Sequence, residues 1–206
     1  MPEPVDVSHS LAYARLHKVS PDVWEITARI TELADGTIAE HDDEDAPLAF
    51  STHASDRGIL RIALADWATP LAPPLWFVLV DEKRSTPHAV NLVAFADNSI
   101  PAGTVISHYQ FATLGIRNET QAGAVRWYPD GGLVHQIFVA QQWRRHQVAT
   151  HLLYAAEALH QSHAWPGRLN GDGRRTDLGE QLIAGLAAYP SRFLPLAETM
   201  PPMDPS

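Results

Sequence analysis

The sequence predicts an α+β protein on a mixed, mostly antiparallel β-sheet, with a β-rich N-terminal half and a C-terminal unit of strands and helices. Residues 1–103 consist mostly of stretches with the alternating pattern of strands. From Arg145 the apolar period becomes helical. The second half orders its elements as strand, strand, strand, helix, strand and helix, so we expect a crossover between parallel strands.

Four stretches of the N-terminal half predict strands. VWEITARITE, residues 23–32, alternates apolar and polar side chains, and GILRIALADW, residues 58–67, does the same. LWFVLVDE, residues 75–82, is apolar on both faces, which indicates a central buried strand. AVNLVAFAD, residues 89–97, follows as another strand. We find no pair of helices in this half.

Turns and loops separate these strands. Asp35-Gly36 is a hairpin signal. EHDDEDAP, residues 40–47, predicts a solvated acidic loop rather than a calcium site, because its spacing fits no calcium-binding loop. Three prolines in ATPLAPP, residues 68–74, exclude regular structure, and NSIPAG, residues 98–103, is a second break.

The second half predicts strands followed by helices. TVISHYQFATLG, residues 104–115, predicts a strand, and DGG joins AGAVRWYP and LVHQIFVA in a predicted hairpin. The next helix has one apolar stripe and ends at Trp165-Pro166-Gly167. RLNGD, residues 168–172, predicts a short strand parallel to LVHQIFVA. The stretch 174–189 predicts a helix with Thr176 as its N-cap and these side chains inward: Leu178, Leu182, Ile183 and Leu186.

Composition limits the classes of function. The 206 residues carry a formal net charge of −9, which disfavours nucleic acid as a partner and favours a cationic one such as an amine. The chain has no cysteine, so thiolate chemistry is excluded. The N-terminus has no secretory pattern and no apolar run approaches the roughly 18 residues of a membrane span. These features predict a soluble, cytoplasmic protein without a membrane partner.

The junction of strand 133–140 with the following helix is the strongest candidate site. A helix that begins directly after a strand directs free backbone N–H groups and its positive dipole end at the connecting loop. Such a place binds phosphate, and Arg144 and Arg145 add positive charge there. The alternative is a turn with solvent-facing arginines that binds nothing.

Residues 104–188 resemble the GNAT superfamily of acyl-CoA-dependent N-acetyltransferases. QIFVA matches the family's strand end, RRHQVAT occupies its phosphate loop of the form Gln/Arg-x-x-Gly-x-Gly/Ala, and HLLYAAEAL matches the helix start. AGAVRWYPDGG matches the preceding hairpin, and NGDGRRTDLGEQLIAGL matches the next strand and helix. The resemblance covers several elements in order, which is more specific than any one motif.

The resemblance implies acetyl-CoA or another acyl-CoA as co-substrate, an amine acceptor and no metal. The pantetheine arm would run along strand 133–140, and the pyrophosphate would rest on the loop and helix start. The cofactor-binding residues implied are Ile137, Phe138, Val139, Arg144, Arg145, His146, Gln147, Val148, Ala149 and Thr150. The acceptor, a small molecule or a peptide, would enter from the other side and attack the thioester directly.

The chain departs from the family pattern at its catalytic and loop positions. Gln147 replaces the first motif glycine, and its side chain either points away from the site or fills it. Leu133 stands where some members carry a glutamate base, so His135, on the same face as Ile137, is the candidate base. The alternative is a histidine packed on the sheet. Ile183 stands near the position of the family's tyrosine acid.

Other candidates remain open. Tyr189 lies about two turns beyond Ile183, and Tyr154 lies on a different helix. Trp127 and Tyr128 are either packing residues or the lining of an acceptor pocket. The histidine pairs 146/151 and 160/163 have helical spacing but no carboxylate in sequence to complete a metal site, so surface histidines are expected.

The sequence thus divides into a β-rich region, residues 1–103, a GNAT-like core, residues 104–196, and a Pro-rich tail, residues 197–206. The favoured function is an acyl-CoA-dependent N-acyltransferase, in first place an N-acetyltransferase. The alternative is a catalytically silent GNAT-like domain used for binding or assembly. Self-association into a homo-oligomer stays open.

Overall fold

The fold is described here from a computed structural model, which covers residues 11–20, 23–30, 38–39, 48–55, 60–64, 69–186 and 193–201. Before Thr69 the description concerns the backbone, together with the side chains of Arg61, Ile62 and Leu64. The predicted turn at Asp35-Gly36 and the acidic loop 40–47 lie outside the described residues.

Twelve strands and three α-helices are present in the described part of the chain. The strands are β1 Leu11–Ser20, β2 Val23–Ile30, β3 Ile38–Ala39, β4 Leu48–Ser55, β5 Leu60–Leu64, β6 Trp76–Glu82, β7 Ala89–Phe95, β8 Thr104–Ser107, β9 Gly123–Tyr128, β10 Leu133–Val139, β11 Arg174–Arg175 and β12 Glu198–Thr199. The helices are α1 His108–Ala112, α2 Val148–Ser162 and α3 Asp177–Ala184.

Ten of these strands form one sheet in the order β10-β9-β7-β6-β8-β5-β4-β2-β1-β3. Most neighbours are antiparallel, while β6 with β8 and β1 with β3 are parallel. The predicted α+β class with a mostly antiparallel sheet is therefore confirmed. The sheet is continuous across residue 103, because β8 pairs with both β5 and β6. Strands β11 and β12, the latter in the predicted tail, form a separate parallel pair.

The strand predicted at 104–115 is wrong in its second half. The stretch 104–115 begins as β8 but turns at Ser107 into helix α1. The Ser107 hydroxyl accepts a hydrogen bond from the backbone N–H of Gln110, and the Gln110 side chain accepts one from the backbone N–H of Ser107. This reciprocal capping box starts a helix where apolar alternation alone suggests a strand.

Helix α2 covers one face of the sheet and buries the main core. The chain begins this helix at Val148, three residues after the point where the apolar period changes. Leu152, Ala156 and Leu159 are fully buried against Leu92 and Val125 of the sheet, among others. At about 25 cal/mol per Å² of apolar surface, such burial is the main stabilising contribution to the fold.

The opposite face of the sheet, called the distal face here, carries Trp76, Val78 and Phe95. Trp76 stacks on Phe95 with ring centroids 4.5 Å apart, and Phe111 of α1 packs against both rings. Helix α1 covers only this part of the face, so the side chains of β9 and β10 that point the same way are left half-exposed or exposed.

Helix α3 begins as predicted, because the Thr176 hydroxyl accepts a hydrogen bond from Gly179 N–H. Leu182 and Ile183 pack against the core and Leu186 is buried. Leu178 is 52% exposed, so its predicted inward position is wrong. Among the described residues, none of the helices is long and apolar enough to cross a membrane.

Candidate functional site

The hairpin of β9 and β10 places the candidate site at one edge of the sheet. Gly131 and Gly132 form its turn with φ of 83° and 72°, and Gly132 N–H donates to Tyr128 O over 3.0 Å. A Cβ atom on Gly132 would overlap the carbonyl oxygen of Arg168. Glycine therefore lets the stretch 168–172 approach β10 closely, as well as making the turn.

A bulge in β10 changes which side chains share a face. The register with β9 pairs Val134 with Trp127 and then Gln136 with Arg126, so His135 is the extra residue. Val134 and Ile137 both pack against the core under α2. Strict alternation cannot place residues three apart on one face, so the bulge directs His135 and Gln136 together to the distal face. The expected position of His135 beside Ile137 is wrong for this reason.

The stretch 168–172 pairs with β10 at a single point. Val134 N–H donates to Asn170 O over 2.8 Å, and Asn170 N–H donates to Gly132 O over 3.0 Å. This isolated bridge to Leu133 is parallel, as predicted, but the five-residue strand predicted at 168–172 is reduced to it and to a second isolated bridge from Gly171 to Phe193. Beyond the bridge, β10 is the edge of the described sheet.

The outer edge of β10 exposes the backbone of alternate residues. Ala140 N–H donates inward to Ala122 O, and Phe138 O lies against Gly123, so these residues bond toward β9. The backbone groups of Ile137 and Val139 therefore face outward. Arg144 Nε lies 3.4 Å from Val139 O at this edge. Of the three strand residues implied for the cofactor, Phe138 has its backbone turned away from the edge.

The loop before α2 holds two residues other than glycine in the left-handed region. Arg145 has φ of 68° and Gln147 has φ of 54°. Arg145 Nη2 donates to Gln181 Oε1 of α3 over 3.1 Å, and His146 Nδ1 lies 2.9 Å from Arg144 O. Left-handed backbone is costly for a residue with a Cβ atom and is frequent at functional sites.

The Gln147 side chain points to the turn at residues 69–72. Its Oε1 accepts a hydrogen bond from Leu71 N–H over 2.9 Å. Among the described residues, no side chain caps the start of α2, and the helical backbone bond at this end runs from His151 N–H to Gln147 O over 2.9 Å. The amides of Val148, Ala149 and Thr150 precede that bond, as at any helix start.

The largely buried His151 side chain also contacts this turn. Its Nδ1 lies 3.0 Å from Thr69 Oγ1, and its ring stacks on Phe77 with centroids 5.9 Å apart. Burial lowers the pKa of His151 to about 4. The ring is therefore neutral at physiological pH and acts as a packing residue, rather than the surface histidine that the sequence predicts.

The candidate base is accessible to solvent. His135 is exposed, and its ring lies 5.2 Å from that of Tyr128 at a tilt of 33°. It is therefore not the packed histidine of the alternative interpretation. Trp127 points the other way, fully buried under α2, so of the two aromatic residues considered for an acceptor pocket only Tyr128 is at the distal face.

The candidate acids lie elsewhere. Ile183 packs partly against the core. Tyr154 is buried within α2, where burial raises the pKa of its hydroxyl. Tyr189 lies outside the described residues. Among the described residues, no three His, Asp or Glu side chains come close enough together to hold a metal ion.

The structure adds residues that the sequence did not single out. Thr69 and Leu71 contact the start of α2 from a proline-rich break more than seventy residues away. Arg126 of β9 forms an ion pair with Glu82 on the distal face, with Nη2 to Oε2 at 2.8 Å. Only alternation along β6 and β9 could have suggested this pair, and it does not fix the register.

Comparison with known proteins gives no relative. No model of a protein family matches the chain, and neither curated proteins nor solved structures give a significant match.

Proposed function

We propose that the chain is an acyl-CoA-dependent N-acyltransferase, with acetyl-CoA as the first donor to test. One observation carries the proposal: the pairing of β10 with the stretch 168–172 stops at Asn170. Past that point Ile137 and Val139 present outward backbone groups beside the start of α2. An extended amide-bearing arm such as pantetheine can hydrogen-bond to an open strand edge of this kind.

The charges at the loop support the same proposal. Arg144 and Arg145 are exposed and form no ion pair with a carboxylate among the residues that the structure describes. In a chain of net charge −9, two such arginines beside the amides of Val148 and Ala149 favour a phosphorylated ligand. This arrangement is suited to the pyrophosphate of coenzyme A.

The reaction would proceed by direct transfer. The neutral amine attacks the thioester carbonyl, a C–N bond forms, and the C–S bond breaks to give the amide and coenzyme A. The ammonium proton of the acceptor must leave before the attack, and exposed His135 is the candidate to receive it, directly or through water. The nitrogen of the tetrahedral adduct loses a further proton to solvent as the C–S bond breaks, and the leaving thiolate takes a proton from solvent, because Ile183 cannot donate one.

A silent binding domain is the second candidate, and a specific contact favours it. Gln147 Oε1 ties the turn 69–72 to the start of α2 through Leu71 N–H. Pro70 and Leu71 are exposed in that turn. Because the turn contacts Gln147, which directly precedes the free amides of α2, it lies close to the place where a phosphate would rest. If the turn stays there, the pyrophosphate has less room and the domain serves another role.

Calorimetric titration of the purified chain with acetyl-CoA tests the proposal. We expect micromolar binding by the wild type and about tenfold weaker binding by Arg145→Ala, the effect of losing one charge-assisted hydrogen bond. Arg84→Ala is the matched control, because Arg84 is an exposed arginine in the β6–β7 turn.

The outcomes separate the two candidates. Binding that Arg145→Ala weakens and Arg84→Ala does not supports the transferase and justifies an amine screen. No binding by the wild type but binding by Gln147→Gly would favour a pocket closed by the 69–72 turn and hence the silent domain. No binding by either protein would contradict the acyl-CoA site altogether.

A further inference from the structure

The distal face near the bulge carries a pair of aromatic rings at the place where an acceptor would enter. Tyr128 ends β9, and the bulge brings exposed His135 to a centroid distance of 5.2 Å from it. Ile137 is two residues further along β10, about 7 Å at the rise of an extended strand. A molecule that contacts the rings is therefore within reach of a thioester held at the β10 edge.

Arg126 lies close to these rings on β9, and its charge is already neutralised by Glu82. Arg126 lies opposite Gln136 in the register, and it donates from Nη1 and Nη2 to Oε1 and Oε2 of Glu82 over 2.9 and 2.8 Å. Asn91 also donates to Glu82 Oε1 over 2.8 Å. The pKa of Glu82 is lowered, mainly because its carboxylate accepts hydrogen bonds from Arg126. This guanidinium has no free charge for a substrate carboxylate.

A second arginine on the side of Tyr128 is neutralised in the same way. Arg174 donates from Nε and Nη2 to Asp172 Oδ2 over 2.9 and 2.8 Å. Asp172 is the main cause that raises the pKa of Arg174, and Tyr128 is close enough to contribute. At the α2 start, by contrast, Arg144 and Arg145 have no carboxylate partner among the described residues.

We propose that the acceptor is a primary alkylamine whose chain carries an aromatic ring and no carboxylate, bound at the Tyr128–His135 ring pair. The exposed His135 ring and the half-buried Tyr128 ring provide a surface for a third ring and for an ammonium group. The paired arginines leave a carboxylate without a counter-charge, so it would be desolvated at a cost. This inference rests on the proposed function for its chemistry, but the binding site itself can be tested without a donor.

The test is a titration of the full chain, without coenzyme A, with three probes followed by calorimetry. Phenethylamine has the ring and the amine, phenylalanine adds a carboxylate, and butylamine lacks the ring. We expect phenethylamine to bind about tenfold tighter than either, as expected if a ring contact or a carboxylate desolvation is worth roughly 1.4 kcal/mol.

Two variants locate the site. Tyr128→Ala should remove the preference for phenethylamine over butylamine. Tyr109→Ala should keep it, and it is the matched control because the Tyr109 ring also lies tilted against a histidine ring, that of His108, and is 76% exposed. Glu82→Gln frees the charge of Arg126 and should improve phenylalanine relative to phenethylamine by about tenfold.

Failure of this inference differs from failure of the proposed function. Equal binding of the three probes, or a preference for phenylalanine or butylamine, overturns the aromatic amine whether or not acetyl-CoA binds. A preference for phenethylamine that Tyr109→Ala removes and Tyr128→Ala keeps overturns the location. Binding of phenethylamine as expected, in a chain that does not bind acetyl-CoA, keeps the amine site and rejects the transferase.

Discussion

The two ends of helix α2 both have left-handed backbone nearby, at Gln147 and at Ala164 with φ of 51°, but they differ in their side-chain contacts. At the start, Gln147 has left-handed backbone, no side chain caps the helix, and the neighbouring arginines are exposed. At the end, Glu157 and His160 are fully buried and bind the following loop. Glu157 Oε2 accepts a hydrogen bond from Leu169 N–H over 2.8 Å, and His160 Nε2 lies 3.2 Å from Pro166 O.

The difference shows which end of α2 is held by buried polar side chains and which end has exposed ones. Polar groups that are buried and bonded at the end of α2 fix residues 165–169, and so fix Asn170 against β10. Among the described residues, the contacts that hold the left-handed backbone at the start are the bond to Leu71 and the contact of His151 with Thr69. Backbone strain of this kind is concentrated at binding and catalytic sites.

Among these variants, we expect Glu157→Ala to lower the free energy of unfolding most. The Glu157 carboxylate is fully buried 3.8 Å from Arg168 Nε, which is 11% exposed. Removing one partner of a buried charged pair costs about 3–5 kcal/mol, and here it also removes the acceptor of Leu169 N–H. Urea unfolding followed by circular dichroism measures the loss. Glu180→Ala is the control, since Glu180 pairs with Arg175 at 42% exposure and should cost less than about 1 kcal/mol. Equal losses would contradict the buried role of Glu157.

His151 should make stability depend on pH at the start of α2. Its pKa is about 4 in the folded chain against an ordinary value of 6.5, because of burial. The contribution of the neutral ring is complete above pH 6.5 and is lost as the pH falls toward 4, because protons then bind the unfolded chain more tightly. The loss is at most about 3 kcal/mol. His151→Phe keeps a buried ring without titration, so the stability difference between wild type and variant should shift with pH. A difference that stays constant from pH 7.5 to pH 4.5 contradicts this role.

The turn of the β9–β10 hairpin allows a finer test of how the stretch after α2 docks. Gly132→Ala places a Cβ against the Arg168 carbonyl at φ of 72°, whereas Gly131→Ala meets no atom within 4 Å at φ of 83°. Both variants carry the cost of left-handed backbone, about 1 kcal/mol, and only the first adds a clash. We expect Gly132→Ala to lose at least about 1 kcal/mol more in thermal unfolding. Similar losses would mean that this stretch can move away from β10 freely.

Local patterns predicted most of the elements but not how they meet. Alternation located β2 and β5, an apolar run located β6, the DGG turn located the β9–β10 hairpin, and the Thr176 cap located α3, because these signals depend on neighbouring residues. The bulge at His135 could not be seen, because it depends on the register between two strands and on which residues α2 buries. The contact of Gln147 with Leu71 joins positions 76 residues apart, which no local pattern reports.

The smallest expected effect concerns the two properties of Gln147, its backbone and its side chain. Gln147→Ala removes the bond to Leu71 N–H and keeps a Cβ at φ of 54°, so it should cost about 1 kcal/mol in urea unfolding. Gln147→Gly also loses the bond but relieves the left-handed strain, so it should be more stable than the alanine variant by about 1 kcal/mol. If the glycine variant is the less stable, then the backbone at 147 carries no strain. Left-handed backbone would then give no reason to place a ligand site at the start of α2.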